Sequence, residues 1–411
     1  METLADKVIV EPRRRGIISY ASHQEMIKQT SSLAAAWQWT REMPLGGHSA
    51  NVRLETWRCT RPDGTSRSYS VEIRIGKQFN VIGIKGTDLD ETRGYARFLA
   101  ATAAKLYGNA SAHEHVAVCP ICGQDTASAI EAFRIFNVPY HRCKACGHGF
   151  VLERPSRRAL EDLFSDSAEH SGAYLDRDAA EQRLQQIVLP KLNWLLEIYS
   201  KAVGGCPKTA IDVGAGGGHF VAGLGRAKIA AEGWELSAAS RAFAKSMFDV
   251  ELRADDYLEV PYKPVNLITY WGLLEYVPEP LRMLRAARRR LVPGDGLLVL
   301  EVPRFDALGT VAQACNPDHV ARHMDPTSHI NCFSDTSLMT ALAKSGFEPV
   351  AVWYFGMDAY ELLVQIALRT GRDDLLDRCG DMIPALQGSL DAGFQCDDMI
   401  VAARPVDEFT G

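Results

Sequence analysis

From residue 208 onward the chain alternates short apolar runs with helical patterns, and no other feature narrows its fold as much. Strand-like runs fall near residues 208–213, 229–236, 249–253, 265–271, 296–302, 347–355 and 398–404. Helical periodicity fills most intervals, as in EPLRMLRAARRRL and DTSLMTALAKSGF. Strands separated by helices cross over and pair in parallel, so the pattern predicts an α/β fold with helices on both faces of a parallel sheet. Just upstream, Leu184, Ile187, Val188, Leu192, Leu195, Leu196 and Tyr199 recur at helical spacing, and Pro190 is expected to bend that helix.

At 411 residues the chain is longer than one core usually organises. Residues 1–112 read as an α+β domain whose role the sequence leaves open among covering an active site, binding substrate, a homodimer contact and a purely structural part. A helical pattern spans Gln24 to Glu42, and NVRLETWRCT and SRSYSVEIRI flank Asp63-Gly64, a hairpin signal. A third strand-like run, FNVIGIKG, precedes a helix expected from Asp88 to Leu106. Residues 113–160 form a cysteine-rich segment, and residues 161–411 hold the alternating sheet.

Within that segment, Cys119 and Cys122 form one C-x2-C turn and Cys143 and Cys146 another, each pair followed by glycine. Four thiolates at this spacing suit a tetrahedral zinc ion. A pair of redox dithiols fits two separate turns poorly. His113, His115, His141 and His148 lie nearby, but four sulfurs already complete the shell. Such a shell leaves no position for water, so the metal is expected to be structural. The remaining cysteines, Cys59, Cys206, Cys315, Cys332, Cys379 and Cys396, are scattered.

The stretch IDVGAGGGHF closes a strand and opens a helix, so the main chain at Gly214, Gly216 and Gly218 can approach a ligand closely. Its spacing is G-x-G-x-G, not the dinucleotide G-x-G-x-x-G. Asp212 precedes it, and a carboxylate is a poor neighbour for a pyrophosphate. It suits a cationic ligand such as S-adenosylmethionine, which carries an ammonium and a sulfonium and no phosphate. Glu235, at the end of the next strand, can accept from a ribose diol, which also fits NAD. Asp255 or Asp256, after the third strand, can accept from an adenine amino group, with Asp255 favoured.

From Cys119 to the C-terminus the chain resembles class I S-adenosylmethionine-dependent methyltransferases with an N-terminal cysteine-rich zinc segment, a group associated with sugar, polysaccharide and natural-product methylation. The resemblance rests on CPICG and YHRCKACGHGFVLERPS, IDVGAGGGHF, YWGLLEYVPEPLRMLRAARRRLVPGDGLLVLEVP, HINCFSDTSLMTALAKSGFEPV and LQGSLDAGFQCDDMIVAARP, in that order. It implies a seven-stranded Rossmann-like sheet whose last strand, DDMIVAARP, is antiparallel. It also implies that Asp212, Gly214, Gly216, Glu235 and Asp255 contact the cofactor, and that Trp271 and Gly272 border the methyl donor. Two positions depart from the pattern: Asn266 stands where an acidic residue is common, and Leu274-Glu275-Tyr276 replaces Leu-Glu-His, which puts in doubt a histidine base at that position. Residues 1–112 match nothing in the family.

Transfer to a hydroxyl, amine or carbon acid can use a base, although proximity alone supplies much of the rate. Candidates at the carboxyl end of the sheet are His329, Tyr276 and Glu275, with His329 preferred because imidazole titrates near neutral pH. His319 and His323 sit in a segment broken by Pro317 and Pro326, which argues against a second metal site. Tyr174 is placed by analogy as a cofactor lid.

Composition decides among the wider classes. The formal charge is −6, and Arg13 to Arg15 and Arg288 to Arg290 are the longest basic blocks, which argues against a nucleic-acid partner. No apolar run of about eighteen residues is present, and the N-terminus lacks a signal-peptide core, so a cytoplasmic protein without membrane contact is expected. The leading expectation is methylation of a small-molecule acceptor, a sugar, nucleotide sugar or natural-product scaffold, on oxygen, carbon or nitrogen. Competing readings are an RNA methyltransferase, a non-catalytic cofactor- or partner-binding protein, and an NAD-dependent oxidoreductase.

Overall fold

The alternating runs build one twisted sheet, and the N-terminal hairpin extends it. A computed structural model describes residues 37–42, 51–77, 80–109, 113–166, 175–318 and 324–406. The main sheet contains β1 (Gln38–Glu42), β2 (Val52–Thr60), β3 (Ser66–Ile75), β4 (Thr209–Val213), β5 (Ala230–Trp234), β6 (Leu252–Arg253), β7 (Leu267–Trp271), β8 (Leu297–Pro303), β9 (Phe347–Phe355) and β10 (Asp398–Pro405). Their spatial order is β1-β2-β3-β9-β10-β8-β7-β4-β5-β6. The seven strands from β4 to β10 pair in parallel, except that β10 runs antiparallel to both β8 and β9. This is the Rossmann-like sheet that the resemblance implies.

β3 then joins β9 in parallel, with Val352 opposite Ile73, and β2 and β1 follow antiparallel. The Asp63-Gly64 turn closes the hairpin as expected: Gly64 takes a φ of 83°, and Asp63 Oδ1 accepts from the Thr65 amide at 2.8 Å. The region expected as an N-terminal unit therefore shares the sheet, and it does so through buried charge. Arg41 on β1 donates from Nε to Glu55 Oε2 at 2.9 Å, and its Nη1 lies 3.7 Å from Asp335. Asp335 in turn holds Arg304, whose Nε is 2.9 Å away.

Two local expectations are corrected. The run FNVIGIKG is not a strand: Val81–Lys85 is a helical turn, because Asn80 caps it by accepting from the Gly83 amide at 3.0 Å. The helical pattern drawn from Gln24 to Glu42 ends in strand β1, where Trp39 and Arg41 point into the core, and residues 24–36 lie outside the described residues. The helix expected from Asp88 to Leu106 spans Leu89–Tyr107, with Asp88 as its cap.

Pro190 is accommodated by a wide turn. A π-helical segment, Leu184–Val188, precedes the helix Leu189–Ala202. Proline has no N–H to offer the carbonyl four residues back, and loosening the helix by one residue relieves both that loss and the ring clash.

The cysteine-rich segment carries its own small antiparallel sheet, formed by Ile130–Ile135, Val138–Arg142 and Gly149–Val151. Asn331–Cys332, from the loop between β8 and β9, completes it by pairing with Gly149 and Phe150. The segment is thereby sewn to the chain two residues from His329. Tyr174, His319 and His323 lie outside the described residues.

Candidate functional site

Ligands of open parallel sheets bind beyond the carboxyl ends of the strands, and there two cavities adjoin. One, of about 440 Å³, is lined by Asp212, Trp271, Glu275 and His329 among others. The second, of about 700 Å³, is lined by Glu235, Asp255, Asp256 and Tyr257. Gly214, Gly216, Gly272 and Tyr276 line both.

The glycine turn is built for close approach. Gly214 and Ala215 both donate to the carbonyl of Trp234 at 2.9 Å, which ties the turn to β5. Gly216 has a φ of 51°, and a Cβ added there would meet nothing within 4 Å, so the main chain borders open space. Gly218 plays another part. It lies outside the lining of both cavities, caps the helix His219–Arg226 with a φ of 75°, and leaves only 2.7 Å between its would-be Cβ and Ala244.

Asp212 on β4 faces Thr269 on β7, whose hydroxyl donates to it at 2.6 Å. It is 1% exposed, and burial pushes its pKa up to about 7. A carboxylate so placed gains from a cation brought into the cavity. Glu235 is already engaged: its two oxygens accept from the amides of Gly216 at 2.8 Å and Ser237 at 2.7 Å. Each carboxylate oxygen keeps a second acceptor direction, so Glu235 can shape the turn and still receive a diol.

The paired aspartates separate in role. Asp256 accepts from the Leu258 amide at 2.8 Å and from Arg157 at 3.0 Å, and so stitches its loop to the helix Arg157–Asp166. Asp255 accepts from Arg253 at 2.9 Å beside the ring of Trp234, over which Arg253 also stacks.

The three candidate bases converge on the smaller cavity. His329 Nε2 lies 3.2 Å from the Tyr276 hydroxyl, and the two rings meet edge to face. Glu275 is 2% exposed with Oε2 unpaired, and burial, aided by the charge of Glu301, raises its pKa to about 8. Trp271 leaves a second buried atom, Nε1, without a partner. These atoms, with Asp212 and the open face of Gly216, are what a cationic, amide-binding nucleoside such as S-adenosylmethionine would engage.

Sequence reasoning missed the charged floor of this cavity. Lys191 pairs with Glu301 and stacks its ammonium 5.1 Å from the Trp271 ring. The signal was present: Glu301 is the one charge in the apolar strand LLVLEVP.

The cysteines form a compact group, with all four sulfurs within 4.8 Å of one another. Cys119 and Cys146 are 3.6 Å apart, as are Cys122 and Cys143. A tetrahedral zinc with sulfurs at about 2.3 Å needs edges of about 3.8 Å, so the donor set fits the ion. His148 is not one of this group, and its Nε2 lies 3.0 Å from Asn331 Oδ1. Asn331 Nδ2 in turn donates to Val277 O at 2.7 Å, so the cysteine segment braces the loop that holds Glu275 and Tyr276.

Residues 182–352 match the family model described as a methyltransferase domain. Residues 182–352 thus form a methyltransferase domain. Among curated relatives, ubiquinone biosynthesis O-methyltransferase of Pseudomonas savastanoi pv. phaseolicola is 30% identical over 137 residues, which cover 31% of this chain and 57% of that protein. The Pseudomonas entomophila protein of the same name matches equally, at 30% identity with the same coverage. The chain thus spans a little over half the length of the curated relatives it matches, 57%. Among solved structures, magnesium protoporphyrin IX methyltransferase from Synechocystis PCC 6803 aligns over 60% of this chain and 99% of its own at 12% identity, with a TM-score of 0.41. The methyltransferase domain accounts for the glycine turn and the strands on either side of it; β1 to β3 and the cysteine quartet lie outside the matched residues.

Proposed function

We propose that the protein transfers a methyl group from S-adenosylmethionine to a small-molecule acceptor, a sugar, nucleotide sugar or natural-product scaffold. The observation that carries this reading is the meeting of two residue sets in adjoining cavities: Asp212, the glycine turn, Glu235 and Asp255 on one hand, and Glu275, Tyr276 and His329 on the other. Asp212 takes the ammonium, Gly214 and Gly216 admit the main chain, Glu235 receives the ribose hydroxyls and Asp255 the adenine amino group. Bound there, the cofactor supplies an electrophilic methyl carbon. The protein's own task is then to align the acceptor and hold its proton.

His329 is placed to take that proton, directly or through the Tyr276 hydroxyl 3.2 Å away. Glu275 is neutral at pH 7 because burial raises its pKa to about 8, so it serves as a hydrogen-bond donor to the acceptor and not as the base. The four cysteines hold a structural zinc that fixes the loop carrying these groups.

Calorimetric titration with S-adenosylhomocysteine tests the reading. The wild type is expected to bind at micromolar concentration, and Asp212→Ala and Glu235→Ala to lose at least about tenfold each. A folded wild type that does not bind would overturn it.

A further inference from the structure

A filled cysteine quartet is a strongly charged centre with little water around it. Four thiolates on one zinc ion sum to two negative charges, and Cys119, Cys143 and Cys146 are buried. Charge withdrawn from water in this way must be met by opposite charge or by hydrogen-bond donors. The one basic residue between the paired cysteines is Lys144, which is exposed, so water weakens its field. Arg142, beside the second pair, is taken by Asp306, with Nη2 3.0 Å from Oδ2.

A better-placed cation comes from the methyltransferase domain. The helix Asp335–Lys344, just ahead of β9, meets both C-x2-C turns, one at each end. At its start Ser334 caps it by accepting from the Ser337 amide at 3.1 Å, and the Ser334 hydroxyl lies 3.5 Å from Cys146 O. At its end the Lys344 ammonium donates to Ile121 O at 2.9 Å and to Cys122 O at 3.0 Å. Between the two ends, Leu338 and Leu342 share one buried apolar cluster with Ile121 and Ala145. Lys344 is half-buried, and among the described residues no carboxylate pairs with it. The two carbonyls accept its protons but bring no net charge. An ammonium without a counter-ion and a thiolate centre without a buried cation thus meet at Cys122.

We infer that Lys344 is the counter-charge of the zinc–thiolate centre: held at the Ile121 and Cys122 carbonyls, its ammonium keeps positive charge beside the first C-x2-C turn and tightens the hold on the metal. It is a positioning residue that binds no metal itself. Zinc affinity is thereby tied to the folding of the methyltransferase domain, because only the docked helix delivers Lys344 to the quartet. The inference rests on the reading of the quartet as a structural zinc site, and the test keeps the two apart.

Zinc-loaded wild type and variants are titrated with 4-(2-pyridylazo)resorcinol, a chelator whose colour reports the metal withdrawn. Lys344→Arg keeps the charge, whereas Lys344→Gln keeps a donor for the carbonyls and removes the charge. Lys344→Gln is expected to hold zinc at least about tenfold more weakly than the wild type, and Lys344→Arg to stay within about threefold of it. Lys144→Met, which removes the exposed cation, should stay within about twofold. Circular dichroism of the loaded variants checks that they are folded. Lys344→Gln holding zinc as tightly as the wild type, or Lys344→Arg losing it as readily as Lys344→Gln, would overturn the inference and leave the zinc site standing. A folded wild type that holds no zinc would overturn the zinc reading and the inference with it.

Discussion

At the scale of single residues, the buried carboxyls set the pH dependence. In the proposed function Asp212 holds an ammonium and must be ionised to do so, and burial puts its pKa at about 7. Affinity for S-adenosylhomocysteine is therefore expected to fall as pH drops below 7, approaching tenfold per pH unit. Asp212→Asn should bind weakly with a nearly flat profile, and calorimetry from pH 5.5 to 8.5 reads both. Glu275 bears on stability instead. Its folded pKa of about 8 exceeds the usual carboxyl value, so its contribution is complete at acid pH and is lost as pH rises through 8. Every tenfold change in acidity between the unfolded and folded carboxyl corresponds to about 1.4 kcal/mol. Glu275→Gln, which cannot ionise, is thus expected to match the wild type in melting temperature near pH 5 and to exceed it near pH 9. A gap that does not widen with pH would count against a buried, neutral Glu275.

At the scale of elements, positive φ has two different costs. Gly64 at the hairpin tip and Gly218 at the helix start both sit in the left-handed region, but only Gly218 has a neighbour within 3 Å of a would-be Cβ. Gly64→Ala should cost about 1–2 kcal/mol for conformation alone. Gly218→Ala adds overpacking against Ala244 and should cost about 2–4 kcal/mol in all. Denaturant unfolding of the two variants compares them directly. The cysteine turns make a second prediction. One zinc per chain is expected by elemental analysis, and chelation should expose the segments near 149–151 and 331–332 to protease, because those strands pair only if the knuckles hold their shape. A metal-free protein with unchanged proteolysis would separate the quartet from the bracing of the Glu275 loop.

At the scale of the whole molecule, the N-terminal hairpin and the methyltransferase sheet are joined by charge buried between them. Burial alone would raise the pKa of Glu55, but Arg41, Trp57 and Arg53 together hold it below the usual carboxylate value. Removing one partner strands the other, so Arg41→Ala is expected to destabilise the protein by about 3–5 kcal/mol, measured by chemical denaturation. The basic block at Arg288 to Arg290 shows how tertiary context also reassigns charge. Arg290 is 2% exposed and donates to the carbonyls of Tyr257 and Val260, so it packs a loop and offers little to a polyanion. Local signals were enough for β4 to β10, since apolar runs separated by helices and glycines leave few ways to pair. Asp212, the glycine turn and the C-x2-C pairs were legible for the same reason: their chemistry resides in short spacings. The strand β1 and the helical turn at Val81–Lys85 were misread because half-polar segments take their form from what they pack against and from a capping side chain. Lys77, the helical stretch that carries Arg183 and Lys191, and Glu301 come from distant parts of the chain, and no spacing relates the three. What the sequence determined by itself was the α/β sheet, the glycine-rich turn and the cysteine quartet, each specified by neighbours along the chain. Only the tertiary structure decided that β3 continues the sheet in parallel and so delivers Lys77 to the cavity, because strand pairing and burial act between residues that the sequence keeps far apart.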